Sequence, residues 1–135
     1  SDGPVTPADW WCLDGTLHVT GTEERWLVFC REWLQVDDGR ICAMPMHRDL
    51  DRSAGDPIEL FSASSAPWTR PVQERHQFVT DGPFLHRGED GALLMVWSSL
   101  VSERITAEGP LVSAPCEGDV PSLIDLPAKR PLGVA

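Results

Sequence analysis

Short apolar runs separated by turn residues dominate the first hundred positions of the chain. The pattern predicts strands at residues 16–20, 26–30, 41–46, 58–61, 77–80, 84–86 and 92–98. The stretch Val36-Asp37-Asp38-Gly39 is typical of a hairpin, because an Asp-Gly pair tolerates the positive φ of a tight turn. No segment keeps a capped helical period, so the pattern predicts an all-β fold.

Two stretches of the chain resemble each other at an offset of 67 residues. Asp14-Gly15 and Gly21 of the first align without a gap with Asp81-Gly82 and Gly88 of the second, and the apolar run 26–30 then falls on residues 93–97. A period of this size, filled with about four short strands, fits one blade of a β-propeller. The repeat therefore predicts about two blades within residues 1–105.

Residues 106–135 break this pattern. Prolines occur there every four to six residues, at positions 110, 115, 121, 127 and 131. Such spacing cannot build the interior of a sheet, because proline lacks the N–H that a strand donates. We expect an irregular, Pro-rich C-terminal tail or a disordered end.

The chain is acidic, with a formal net charge of -10 and a pI of about 4.6. An acidic surface repels phosphate backbones and anionic lipids, so we expect neither a nucleic-acid partner nor membrane binding. Neutral sugars remain compatible with this charge. The chain contains no signal-peptide pattern and no apolar run long enough for a membrane span, and its compartment, cytoplasmic or secreted, stays open.

The four cysteines, Cys12, Cys30, Cys42 and Cys116, form no CxxC pair, and no histidine stands at zinc-finger spacing from them. We therefore expect no metal site and no cofactor. Small buried hydrophobic residues are the favoured interpretation of these cysteines. A disulfide between two of the first three is the alternative.

Asp14 and Asp81 hold the same position in the predicted repeat, just before a strand. The innermost strand of each propeller blade lines a central funnel, so the two carboxylates are expected to face one cavity. Glycoside hydrolysis uses such a pair: one carboxyl protonates the leaving oxygen, and the other activates a water that inverting enzymes accommodate between carboxyls about 6.5–9.5 Å apart. The alternative is that each Asp is simply a turn residue ahead of Gly.

Several segments are similar to conserved sites of glycoside hydrolase family 43. Residues 12–17 (CLDGTL) resemble the second conserved Asp site of that family, and residues 79–85 (VTDGPFL) resemble its "EGP-F" site. Residues 29–33 (FCREW) resemble an "HEW" segment of one branch, and residues 41–56 a strand-and-loop passage ending in "GEP". The resemblance covers about residues 1–105. It implies a five-bladed β-propeller that hydrolyses O-glycosidic bonds in arabinose- or xylose-containing glycans.

The resemblance also implies catalytic roles. Asp14 would orient the acid and tune its pKa, and Asp81 falls where the family has a general-acid Glu. Because Asp is one methylene shorter, Glu32 is an alternative proton donor or a sugar-binding partner, or else a solvated charge. The family's base Asp comes from an earlier blade, so no residue of this chain is assigned to it.

Six tryptophans and no tyrosine give an unusual aromatic balance. Trp10, Trp11, Trp33 and Trp68 lie in predicted loops or strand ends, where an indole face could stack on a sugar ring or else pack against the protein. Trp11, Trp33 and Trp68 are the candidate sugar contacts. Trp26 and Trp97 lie in apolar runs and are expected in the core.

Two further expectations follow from a chain of about two blades. The alternative to an enzyme is a non-catalytic carbohydrate-binding piece, or a truncated relic without the base Asp. Open sheet edges also predict self-association, because unpaired backbone groups are templates for another chain.

Overall fold

The computed structural model describes residues 3–72, 76–89 and 91–100 of the chain. Four antiparallel strands form the first sheet in chain order, and two more form a second: β1 (Cys12–Val19), β2 (Arg25–Arg31), β3 (Arg40–Met46) and β4 (Ile58–Ser62), then β5 (Asp81–Arg87) and β6 (Leu93–Ser98). Helical structure within these ranges is limited to the four-residue α1 (Trp33–Val36) and a 3-10 turn at Ala63–Ser65. The prediction of an all-β fold is confirmed.

The order of the strands is that of neighbouring propeller blades. The first sheet is a four-stranded up-and-down blade, and β5 and β6 begin a second sheet that packs against it through β1 and β2. The predicted fold of a partial propeller is therefore confirmed. The predicted C-terminal tail, residues 106–135, lies outside the described residues. None of the helices in the described part of the chain is long and apolar enough to cross a membrane.

The main hydrophobic core lies between the two sheets. Alternate residues of each strand point into it, as the two-residue period of a strand requires, and they include Val28, Cys30, Ile41, Leu85 and Trp97. The Trp97 ring lies 5.1 Å from that of Phe61 and 4.8 Å from that of Trp68, measured between centroids. Burying each large apolar side chain stabilises the fold by about 1.5–3 kcal/mol.

The opposite face of the first sheet carries a smaller core. Phe29, Cys42 and Met44 point to that side, and Val5 and Trp10 from the N-terminal segment cover them. The guanidinium of Arg31 lies 4.0 Å above the Trp10 ring. The segment before β1 is therefore held against the blade by apolar packing and by a cation–π contact.

Two of the predicted local elements were wrong. Residues 77–80 form no strand of either sheet; Phe78 makes only a single bridge with Asp38, and Gln77 one with Val72. The predicted tight hairpin at residues 36–39 is instead a longer connection that contains α1. The positive φ of that connection falls on Asp37, at 63°, and not on the glycine.

The repeat is present, but its offset is 68 residues. In the first blade Thr16 pairs with Val28, and in the second Phe84 pairs with Val96 at the equivalent place. Every residue pair of the β5–β6 hairpin lies 68 positions after a corresponding pair of the β1–β2 hairpin. Asp14 and Gly82 are separated by the same 68 positions. Asp14 is therefore the counterpart of Gly82 and not of Asp81, which corrects the alignment made from the sequence.

The outer face of the second sheet is apolar and open within the described part of the chain. Phe84 and Val96, which are cross-strand partners, are 52% and 53% exposed, and Leu94 on the same face is 45% exposed. Apolar neighbours of this kind are typical of a surface that another protein element covers.

We expect the chain to self-associate through this face. The double variant Phe84→Thr/Val96→Thr keeps good strand-forming residues but removes the apolar pair, so it should shift the chain from oligomer towards monomer. Light scattering coupled to size exclusion measures the change. Leu34→Gln, which removes an apolar side chain of similar exposure elsewhere, is the control and should leave the oligomer intact. A wild-type chain that is monomeric at micromolar concentration would contradict the prediction.

Candidate functional site

A β-bulge in each blade brings the two predicted aspartates together. In β1 the register shifts between Leu13 and Thr16, and in β5 it shifts between Asp81 and Phe84. One residue inside each bulge adopts positive φ, Asp14 at 55° and Gly82 at 54°. Bulges re-aim side chains at the ends of strands, and here they turn Asp14 towards the neighbouring blade.

Hydrogen bonds join the two bulges directly. The amide of Gly82 donates to Oδ2 of Asp14 at 3.1 Å. The hydroxyl of Thr16 donates to the carbonyl of Pro83 at 2.7 Å. The start of β5 is thus fixed to β1 by two hydrogen bonds, one from Gly82 to Asp14 and one from Thr16 to Pro83. Asp81, which directly precedes Gly82, is held at this junction.

The carboxyl groups of Asp14 and Asp81 are hydrogen-bonded to each other. This bond lowers the pKa of Asp14, and the hydrogen bond from Gly82 lowers it further. The same bond to Asp14 is the main cause that raises the pKa of Asp81 to about 6, with burial and the Asp14 charge adding to it. The pair therefore holds one ionised carboxylate beside a carboxyl that keeps its proton to mildly acidic pH.

Direct contact between the two carboxyls changes the interpretation of the pair. An acid and a base that act together in an inverting hydrolase need room for a water between them. Two hydrogen-bonded carboxyls leave no such room. Asp14 and Asp81 thus lie too close together for an acid–base pair of that kind. The carboxyl with the raised pKa lies beside the carboxylate that raises it.

Glu32 lies at the same end of the first blade. Leu13 and Cys30 are cross-strand neighbours that point between the sheets. The pairing of β1 with β2 continues beyond them, where the Glu32 amide donates to the Trp11 carbonyl at 2.8 Å. Alternation places Glu32 on the same face as Cys30, towards the second blade. After the hydrogen bond with Asp14, the Glu32 charge is a smaller contribution to the raised pKa of Asp81. Glu32 is therefore part of the electrostatic surroundings of the pair.

The carboxylate of Glu32 already has a structural partner. It accepts a hydrogen bond from the Leu34 amide at 3.3 Å and so caps the first turn of α1. A capping carboxylate is anchored to the backbone. The Asp81 carboxyl, whose pKa is raised, is instead hydrogen-bonded to Asp14.

The three candidate tryptophans have different surroundings. Trp11 is 59% exposed and adjoins Glu32 through the backbone. Trp33 is half-buried and opens α1. Trp68 packs against Trp97 and the main core, which agrees with the packing alternative for that residue. Of these three tryptophans, only Trp11 is more than half exposed.

The cysteines of the described residues are free thiols. Cys30 and Cys42 are buried, as the favoured interpretation expected. Burial raises the pKa of both thiols to about 12, so they stay protonated. Cys116 lies outside the described residues. Within the described ranges, no group of three His, Cys, Asp or Glu side chains is placed to hold a metal ion.

Some contacts of the site were missed from the sequence. The Gly82 amide and the Thr16 hydroxyl hold the junction, and Gln35 ties the Trp11 segment to α1. The two Asp-Gly dipeptides signalled the bulges, since this pair tolerates positive φ. No local signal indicated Gln35, because its partners are 24 and 26 residues away.

The fold and the site together define part of a β-propeller with a hydrogen-bonded carboxyl pair at the junction of two blades. A solved structure, an endo-arabinase from Bacteroides thetaiotaomicron VPI-5482, is similar to it, with 43% sequence identity and a TM-score of 0.69. The similarity covers 76% of this chain and 37% of the arabinase chain. No family model matches the sequence, and no curated protein matches it.

Proposed function

We propose that this chain carries the general-acid part of the active site of a glycoside hydrolase that cleaves arabinose-containing glycans. The observation that carries the proposal is the hydrogen-bonded pair of Asp14 and Asp81, in which one carboxyl has a lowered pKa and the other a pKa raised to about 6. Acid catalysis of glycoside cleavage requires a carboxyl that still holds its proton near the working pH.

In this proposal Asp81 protonates the glycosidic oxygen as the bond to the sugar breaks. A water molecule forms the new bond at the anomeric carbon and gives its proton to the base Asp that the family resemblance places in an earlier blade. Asp14 accepts a hydrogen bond from the Asp81 carboxyl, which orients the donor and keeps it protonated. The Gly82 amide donates a hydrogen bond to the Asp14 carboxylate and so holds it in place. Glu32 adds negative charge and stands where a sugar hydroxyl could donate to it.

The substrate class rests on the similarity to the endo-arabinase. The similarity, at 43% identity over 76% of this chain, supports an arabinose-containing substrate. The motifs shared with glycoside hydrolase family 43 support the same class and add xylose-containing glycans as the second candidate. Exposed Trp11 supports a sugar ligand, because an indole face offers an apolar surface to a sugar ring.

The test measures sugar release and binding on linear arabinan, with xylan as the matched polymer. With the base supplied by the rest of the protein, we expect cleavage of arabinan and slower or no cleavage of xylan. Faster cleavage of xylan would overturn the substrate class. Arabinan binding without any turnover would favour the non-catalytic carbohydrate-binding alternative. Neither binding nor turnover would contradict the proposal as a whole.

A further inference from the structure

The side-chain amide of Gln35 holds the backbone of the segment that carries the exposed Trp11. The Oε1 atom of Gln35 accepts a hydrogen bond from the Trp11 backbone N–H at 3.1 Å. Its Nε2 atom donates to the Asp9 carbonyl at 2.7 Å. One side chain from the last turn of α1 thus holds both ends of the segment that presents Trp11.

The same amide is itself fixed in place. Arg31 donates from Nε to Oε1 of Gln35 at 3.3 Å, while its guanidinium lies over the Trp10 ring. The backbone N–H of Gln35 donates to the carbonyl of Glu32 at 2.9 Å, so the residue is one turn away from the Glu32 carboxylate. The amide oxygen has two donors and the amide nitrogen has an acceptor, which gives it a single orientation.

These contacts connect the aromatic surface to the carboxylate cluster. The Glu32 amide donates to the Trp11 carbonyl, and the Gln35 side-chain oxygen accepts a second hydrogen bond from the Trp11 amide. Trp11 is therefore held by hydrogen bonds to both its backbone N–H and its carbonyl, while the residue remains 59% exposed. A ligand that stacks on a surface already ordered in this way avoids the entropy of ordering that surface on binding.

We infer that Gln35 is a positioning residue, which holds the Trp11 indole as a stacking surface for a sugar ring beside Glu32. This inference rests on the proposed function, because a glycan is the ligand that the surface would bind. Gln35 acts through the Trp11 segment and touches no substrate itself. Its loss should weaken glycan binding and leave the Asp14–Asp81 pair unchanged.

The first test measures the segment without any ligand. We expect Gln35→Leu to speed hydrogen exchange of the Trp11 backbone amide at least tenfold, because the amide loses its acceptor. Gln35→Glu keeps an acceptor oxygen and should restore part of the protection. Gln77→Leu is the matched control: its Nε2 also bonds a distant segment, at Asp37, and its loss should not alter exchange at Trp11. Unchanged exchange in Gln35→Leu would overturn the inference.

The second test measures arabino-oligosaccharide affinity in a double-mutant cycle. We expect Trp11→Ala to weaken binding about tenfold or more, Gln35→Leu to weaken it less, and the double variant to bind no worse than Trp11→Ala alone. Additive losses would show that Gln35 does not act through Trp11. If the wild-type protein binds no arabino-oligosaccharide, the glycan-binding role and the proposed function fail together, while the exchange experiment still decides whether Gln35 fixes the segment.

Discussion

Asp81→Asn should lower the rate of arabinan cleavage by about 100-fold or more, the contribution usual for a general acid. The amide is nearly the same size as the carboxyl, so the junction of the blades stays intact while the proton donor is lost. Cleavage of 4-nitrophenyl arabinofuranoside should fall much less, because its leaving group needs little help from an acid. Parallel kinetics on the two substrates measure this difference.

The pH dependence provides a second signature of the same group. Asp81 must be protonated to act, so activity is present below its pKa of about 6 and falls as the pH rises through that value. Asp14→Asn removes the neighbouring charge and leaves only a neutral amide oxygen as acceptor for the Asp81 proton, so this pKa should fall and the loss of activity should move to lower pH. Asparagine tolerates the positive φ of 55° at position 14, which keeps backbone strain out of the comparison.

Asp49→Asn is the control for both variants. Asp49 is an exposed carboxyl in the loop after β3, at the end of the blade away from Asp81, and its loss should leave rates and pH profile unchanged. A wild-type pH profile in Asp81→Asn, or an equal loss on both substrates, would contradict the assignment of Asp81 as the donor. Glu32 would then become the candidate.

Gly39→Ala should destabilise the fold by about 3 kcal/mol, at the upper end of what overpacking usually costs. A Cβ at this position would lie 2.6 Å from the Thr80 hydroxyl, 2.9 Å from the Thr80 amide and 3.0 Å from the Phe78 carbonyl. Two of these three atoms belong to the backbone, so the conflict cannot be relieved by rotating a side chain. Urea denaturation measures the change in the free energy of unfolding.

The same substitution should also affect the candidate site. Thr80 directly precedes Asp81, so displacing its backbone moves the start of β5 relative to Asp14. We expect Gly39→Ala to lose activity at temperatures where it remains folded. Gly21→Ala is the matched control, since a Cβ there meets nothing within 4 Å, and it should change stability by less than about 0.5 kcal/mol. Equal stability of the two variants would contradict the prediction.

The strands were predictable because their apolar positions alternate within short runs. The run at residues 77–80 has the same composition as a strand, yet its backbone bonds go to the connection at residues 37–39. Phe78 accepts from the Gly39 amide at 2.8 Å and donates to the Asp37 carbonyl at 2.9 Å. Such pairing depends on residues about 40 positions away, which a local pattern cannot indicate.

The site was predictable in its members but not in its geometry. The Asp-Gly pairs pointed to Asp14 and Asp81, and aligning them made the two residues seem equivalent. The backbone register shows that equivalence holds between Asp14 and Gly82, because the bulges match at that offset. The hydrogen bond between carboxyls arises from this one-residue difference, and only coordinates of both blades reveal it.

The staggered placement of the two aspartates has a consequence for protein engineering. A propeller assembled from identical copies of either blade would repeat one of the two carboxyls at each junction and never oppose Asp14 to Asp81. Transplanting the pair into another scaffold therefore requires two unlike consecutive blades, moved as a unit with their shared Gly82 and Thr16 contacts. Replacing either blade with a copy of its neighbour should preserve the shape of the propeller and remove one member of the carboxyl pair.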